Sequence, residues 1–271
     1  MEMFQYDFIQ RAFVAGAAMS VITPILGLLL ILRRQSLMAD TLSHVSLAGV
    51  ALGVMLQFNP TYSTLFVVLV ASIVIEYLRV AYRDYSEISI ALMMSAGMAI
   101  ALILMSLNRN ATSFKIDQYL FGSIILISKE EVKLLVGLAV VLLFTYLIFR
   151  KPLYVMSFDE ATAHTSGLPV KWMSIIFSAV TGVAISIMMP IVGVLLISAL
   201  IVIPSATAIK VAKSFTQAIV IGMLINFIGI FLGLTASYHW DTPPGASITL
   251  CFIMIFVAVS LAETLRTKGK K

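Results

Sequence analysis

The chain has 271 residues, 61% of them hydrophobic and only 11% charged, with a net charge of +5 and a mean hydropathy of +1.05. Soluble domains carry about 25% charged residues, so the composition excludes one and indicates an all-α polytopic membrane protein with room for about eight to ten spans of roughly 20 residues. The basic residues bracket apolar runs, which argues against nucleic acid as a partner, and the single cysteine, Cys251, excludes an intrachain disulfide and argues against a thiolate metal cluster.

Residues 1–10 lack a basic n-region and a cleavage site, so no cleaved signal peptide is expected. Nine apolar stretches follow, at roughly 12–32, 38–57, 61–78, 88–107, 131–149, 172–189, 192–209, 215–237 and 245–264. Phe58-Asn59-Pro60 and Pro190-Ile191 are the shortest connections, and turns that tight demand neighbouring antiparallel helices.

The second stretch carries the chemistry. Asp40 falls one to two turns inside it, and His44 lies one turn deeper on the same helical face. A carboxylate at the bilayer centre costs about 2.5–3.5 kcal/mol on insertion scales, so it needs a partner or a watery cavity. One reading is hydrogen bonding to neighbouring helices. The other is a partial site for a divalent transition metal, since a hard oxygen ligand stands beside an imidazole. Gly49 and Gly53 form a Gly-x-x-x-Gly pair on the same stretch, turned away from His44, and invite close approach of another helix. Gly229 and Gly233 repeat the spacing later. The 15 methionines are scattered through apolar runs and read as packing residues, not soft ligands.

Residues 116–127 are apolar but too short to span, and predict a short helix at the outer surface or re-entering the membrane. Residues 151–171 form the longest inner loop, in which Asp159 caps a short helix, Ala163 follows one turn on and Gly167 ends it. That helix is either a connector or a docking lever for a soluble partner. No Gly-x-x-x-x-Gly-Lys-Ser/Thr phosphate loop occurs, so any ATP is hydrolysed by another chain. His239-Trp240-Asp241 follows the eighth stretch at the outer mouth, where His239 and Asp241 are either metal ligands or exposed interfacial residues; His164 reads as solvated. With the amino terminus outside, thirteen of the 18 basic residues face inward, including the tail from Arg266. Arg11, Arg109, Lys115, Lys129 and Lys133 face outward.

Five ordered motifs carry a resemblance spanning the whole chain. They are Leu32 to Gly53, Gln118-Tyr119-Leu120-Phe121-Gly122-Ser123, Phe158 to Gly167, Ile203-Pro204-Ser205-Ala206-Thr207-Ala208 and Thr242-Pro243-Pro244-Gly245-Ala246-Ser247. Together they resemble the metal-uptake ABC permeases of the ZnuB/AdcB kind, bacterial carriers of zinc, manganese or iron. The resemblance implies a type II ABC importer fold and a homodimer of permeases, held by membrane lipid in the cell membrane with the carboxyl terminus cytoplasmic. It also implies a separate ATP-binding subunit and an extracytoplasmic metal-binding protein, often a lipoprotein. No tightly bound cofactor is implied; Zn2+, Mn2+ or Fe2+ is cargo. Asp40 and His44 fall where the family keeps its intramembrane metal ligands, and Asp159, Glu160, Ala163 and Gly167 fall on its coupling helix. The wording is closest to streptococcal-type zinc permeases, which favours zinc. A proton-coupled secondary transporter is the alternative of another class, although no internal repeat is apparent.

Overall fold

The computed structural model describes residues 6–82, 86–107, 116–122, 124 and 127–268, and among them every regular element is a helix. In order they are α1 (Asp7–Leu32), α2 (Met38–Met55), α3 (Pro60–Ala81), α4 (Ser86–Leu107), α5 (Ile116–Phe121), α6 (Lys129–Phe158), α7 (Glu160–Thr165), α8 (Val170–Val192), α9 (Val194–Val211), α10 (Phe215–Trp240) and α11 (Pro244–Lys268). All but α5 and α7 are long and apolar enough to cross a membrane, which gives nine among the described residues. Arg83, Arg109, Lys115, Ser123, Lys270 and Lys271 lie outside them.

Apolar composition does not tell a central helix from a peripheral one. The most apolar stretches of α1 and α4 are about equally hydrophobic, yet 78% of the first is buried and 22% of the second. Lipid and protein core reward the same side chains, so hydropathy alone cannot rank the helices by depth. In the structure α1 packs against α6, α10 and α9, while α2 packs against α4, α3 and α8. α4, α6 and α11 form the rim, and rows such as Val140, Phe144, Leu147 on α6 and Leu250, Met254, Val257 on α11 are exposed.

Tight backbone turns fix the helix that carries Asp40. At the end of α1, Gln35 N–H reaches Leu30 O at 2.8 Å and Arg34 N–H reaches Ile31 O at 3.0 Å. This is a Schellman closure, with Arg34 left-handed at φ 56° where glycine is usual. α2 ends in the same way: Phe58 N–H reaches Gly53 O at 2.9 Å, and Gln57 takes φ 53°. Asn59 then caps α3 by accepting from Thr61 N–H at 2.9 Å, with Pro60 in the first helical position.

Three expectations need correction. The turn between α8 and α9 is Gly193 alone, at φ 82°, and Pro190 stays within α8. The two helices are not a packed hairpin: α8 lies chiefly on α3, and α9 on α11, α1 and α10. α5 fills the angle. A Cβ on Gly193 would stand 2.4 Å from Gly122 N, so two glycine backbones meet where α5 docks. Second, the inner loop is shorter than 151–171, because α6 continues through Pro152 to Phe158. Its last turns are held by an apolar cluster of Met156, Ala163 and Val170 that clamps α7 between α6 and α8. Third, α1 begins at Asp7, before the apolar run itself starts.

Candidate functional site

Asp40 and His44 share a face of α2, with His44 Nε2 3.9 Å from Asp40 Oδ1. That is too long for a hydrogen bond. It is near the separation of about 3.4 Å that two ligands take when each sits about 2.1 Å from one tetrahedral ion. His44 Nδ1 is buried with no hydrogen-bond partner among the described residues. The Asp40 side chain keeps 33% of its exposure, His44 16%. His44 opens onto a cleft of about 370 Å³ lined by Met94, Ser95, Met98, Ala99 and Leu102 of α4. The cleft exists because α4 crosses close to α2: a Cβ on Gly97 would sit 3.0 Å from Val45 Cα. It opens on the outer face of the bundle, along one of the three rim helices, and not into the interior.

Gly49 and Gly53 lie on the α3 side of α2. A Cβ at Gly49 would fall 2.6 Å from Thr64 Cα, and one at Gly53 2.8 Å from Pro60 Cα. The two helices therefore touch backbone to backbone. Among the described residues no cluster of three or more His, Cys, Asp or Glu converges, so Asp40 and His44 are joined by no third candidate ligand.

The remaining candidates are placed elsewhere. His239 is exposed at the end of α10, its Nδ1 2.9 Å from Thr235 O. Asp241 is the left-handed cap of that helix and lines a pocket with Phe8, Phe13 and Tyr238. α10 packs on α11, α1 and α9, so these residues do not join the α2 pair.

Asp159 caps α7, accepting from Ala161 N–H at 3.0 Å, from Thr162 N–H at 3.1 Å and from the Thr162 hydroxyl. Those bonds, the Thr162 hydroxyl foremost, hold its carboxyl below the usual range. Gly167 ends the turn at φ 79° with open space around it. Ala163 is fully buried in the apolar cluster, so it anchors α7 and offers nothing to a partner. Glu160, His164 and Thr165 are exposed.

A second polar centre, which the sequence reading passed over, lies at the α7 end of the bundle. Glu76 of α3 is 2% exposed. Its Oε1 accepts from Arg79 Nη2 at 2.7 Å, Arg79 Nε at 3.1 Å and Ser174 Oγ at 2.6 Å, and its Oε2 accepts from Ser178 Oγ at 3.1 Å. Arg33, in the turn before α2, donates to Ser174 and lies 4.0 Å from Glu76. Its guanidinium stands over Phe177 at 5.2 Å. Burial, reinforced by Arg79, pushes Arg33 down to about 10. The signal was available: Glu76 is a carboxylate inside an apolar run, the criterion that singled out Asp40.

Comparison with known proteins places this arrangement among transporters. The profile of the ABC 3 transport family matches residues 5–263. The chain is 31% identical over 268 residues to a probable metal transport system membrane protein of Treponema pallidum, covering 98% of this chain and 100% of the relative. It is 28% identical to the high-affinity zinc uptake system membrane protein ZnuB of Haemophilus influenzae, covering 93% and 96%. It is 30% identical to the manganese import system permease protein ScaB of Streptococcus gordonii, covering 93% and 90%. Among solved structures, PsaBC from Streptococcus pneumoniae in complex with Fab superposes with a TM-score of 0.83 at 28% identity, covering 95% and 92%.

Proposed function

Since the chain belongs to the ABC 3 transport family, we propose that it is the permease subunit of an ATP-driven importer of divalent metal ions, with zinc as cargo and Asp40 and His44 as its ligands within the membrane. The observation that carries this reading is the Asp40–His44 pair, 3.9 Å apart on one face of α2, with His44 on a cleft. Imidazole and carboxylate are ordinary zinc ligands, and affinity order favours zinc over manganese. Two ligands are too few for an ion that usually takes four. The outward-facing cleft allows a second copy of the chain to bring its own pair across a two-fold axis. A separate ATPase subunit docks on α7, where Glu160, His164 and Thr165 are exposed and Asp159 and Gly167 set the helix ends. A metal-binding protein delivers the ion from outside. Manganese is the second reading, favoured by the similarity to the ScaB permease.

The test is zinc uptake into proteoliposomes holding the permease with its ATPase and delivery protein. Asp40→Asn and His44→Ala each lower uptake by at least about 10–100-fold, the loss that even an outer partner of a metal site brings. Membrane insertion and assembly stay intact. Normal uptake by both variants at limiting zinc refutes the site. The same vesicles supplied with manganese decide between the two cargoes.

A further inference from the structure

The cluster around Glu76 joins parts of the molecule that the chain itself does not place together. α7 is clamped by α6 and α8, its neighbours in sequence, through Met156, Ala163 and Val170. The ion pair Arg79–Glu160 also ties it to α3: Arg79 Nη2 stands 3.4 Å from Glu160 Oε1, and Nη1 3.5 Å from Oε2. On its other edge the same guanidinium grips Glu76 at 2.7 Å. The grip is tight toward the bundle, where Glu76 is buried, and longer toward α7, where the Glu160 side chain keeps 46% of its exposure. Two guanidiniums, Arg33 and Arg79, face two carboxylates, Glu76 and Glu160, so the centre is electrically balanced.

α3, which carries both Glu76 and Arg79, is the helix that meets α2 backbone to backbone at Gly49 and Gly53. With the backbones in close contact there, a shift of α3 carries α2, and with it Asp40 and His44. Arg33 adds a second hold on α2 at the turn that precedes it.

We propose that Arg79 is a positioning residue for transport, linking Glu160 on the docking helix to Glu76 in the bundle so that movement of α7 reaches the metal-bearing face of α2. The proposal rests on the reading that α7 receives the ATPase, and the experiment separates the two. The permease–ATPase complex, reconstituted with the delivery protein, is assayed in one preparation for assembly, zinc binding, ATP hydrolysis and zinc moved per ATP. Glu160→Gln alters one exposed side chain and keeps its size, so it stands as the primary variant beside Arg79→Gln. The expected result for both is retained zinc binding, with zinc moved per ATP, measured per assembled complex, down by about tenfold. The double variant is no worse than the poorer single one, because contacts in one network are non-additive. Arg79→Lys, which keeps the charge and loses the fork, recovers only part of the loss. In parallel, Thr165→Cys is cross-linked to the ATPase. If the cross-link forms and Glu160→Gln transports with normal stoichiometry, the linkage is wrong and the docking reading survives. If uptake falls only in step with assembly, Arg79 and Glu160 merely hold the interface and the linkage is likewise wrong. If α7 forms no cross-link to the ATPase, both readings fall.

Discussion

Asp40 and His44 are candidates from the sequence because an ionisable pair one helical turn apart stands out within an apolar run. Glu76 met half of that description and was passed over: Arg79 stands three residues on, but its other partners come from α8 and the α1–α2 turn, which no local spacing announces. Met94 and Met98 were read as packing, and nothing in their spacing shows that they wall the cleft beside His44. Asn226 is a further polar residue whose role appears only in three dimensions. Its amide nitrogen donates to the Thr23 hydroxyl and to Leu200 O at 3.1 Å, joining α10 to α1 and α9, while its Oδ1 has no partner among the described residues. Leu200 is buried and its carbonyl has Pro204 four residues on, which has no N–H to give it, so removing the Asn226 amide strands that carbonyl. Asn226→Leu is therefore expected to cost about 1–3 kcal/mol. Thr23→Val leaves the amide its bond to Leu200 O and is expected to cost less, about 0.6 kcal/mol, the average for interhelical hydrogen bonds in a membrane. Reversible unfolding of the two variants in detergent micelles checks the order, and a larger loss for Thr23→Val refutes it.

At the scale of the helix, hydropathy located all nine spans found among the described residues and misjudged several ends, since an end is set by caps and packing that a window average does not see. α6 runs on through Pro152 because its last turns have an apolar cluster to enter, and α8 runs on to Val192 because Gly193, at φ 82°, supplies the break. The glycines give a sharper test, as identical residues face opposite surroundings. A Cβ on Gly49 would lie 2.6 Å from the Thr64 backbone, whereas one on Gly137, within α6, would meet nothing within 4 Å. Gly49→Ala forces α2 and α3 apart and is expected to destabilise by about 1–3 kcal/mol, the range for overpacking. Gly137→Ala removes the conformational cost of glycine in a helix and is expected to stabilise by about 0.5–1 kcal/mol. Thermal unfolding of both variants in the same detergent decides, and equal shifts of one sign contradict the packing assignment. Gly49→Ala is also expected to lower zinc uptake, because the helix it displaces bears Asp40 and His44.

For the whole molecule, the number of spans and the helical fold were readable from apolar run lengths, while the contact order of the helices was not, because lipid-facing and core-facing sides are equally apolar. Orientation depends on a different property, the placement of charge. Arg33, Arg79, α7 and Lys210 share the end of the bundle where α1, α3 and α9 finish. Asn59, Ser128 and Asp241 lie at the other, where α2 and α10 finish and α6 begins. Lysine and arginine are retained on the cytoplasmic side of short loops, so the Arg33 end is expected to face the cytoplasm, bringing α7 to the ATPase and opening the other end to the delivery protein. The native Cys251 is buried within α11 and gives no background to an impermeant thiol reagent. Phe58→Cys places a thiol at an exposed position and leaves the Asn59 cap in place. Thr165→Cys does the same on α7, where the threonine hydroxyl makes only contacts of 3.1 and 3.2 Å to its own helix. In sealed right-side-out vesicles, Phe58→Cys is expected to label at once and Thr165→Cys only after permeabilisation. Labelling of Thr165→Cys from outside inverts the molecule and, with it, the direction in which α7 and the Asp40–His44 pair are joined.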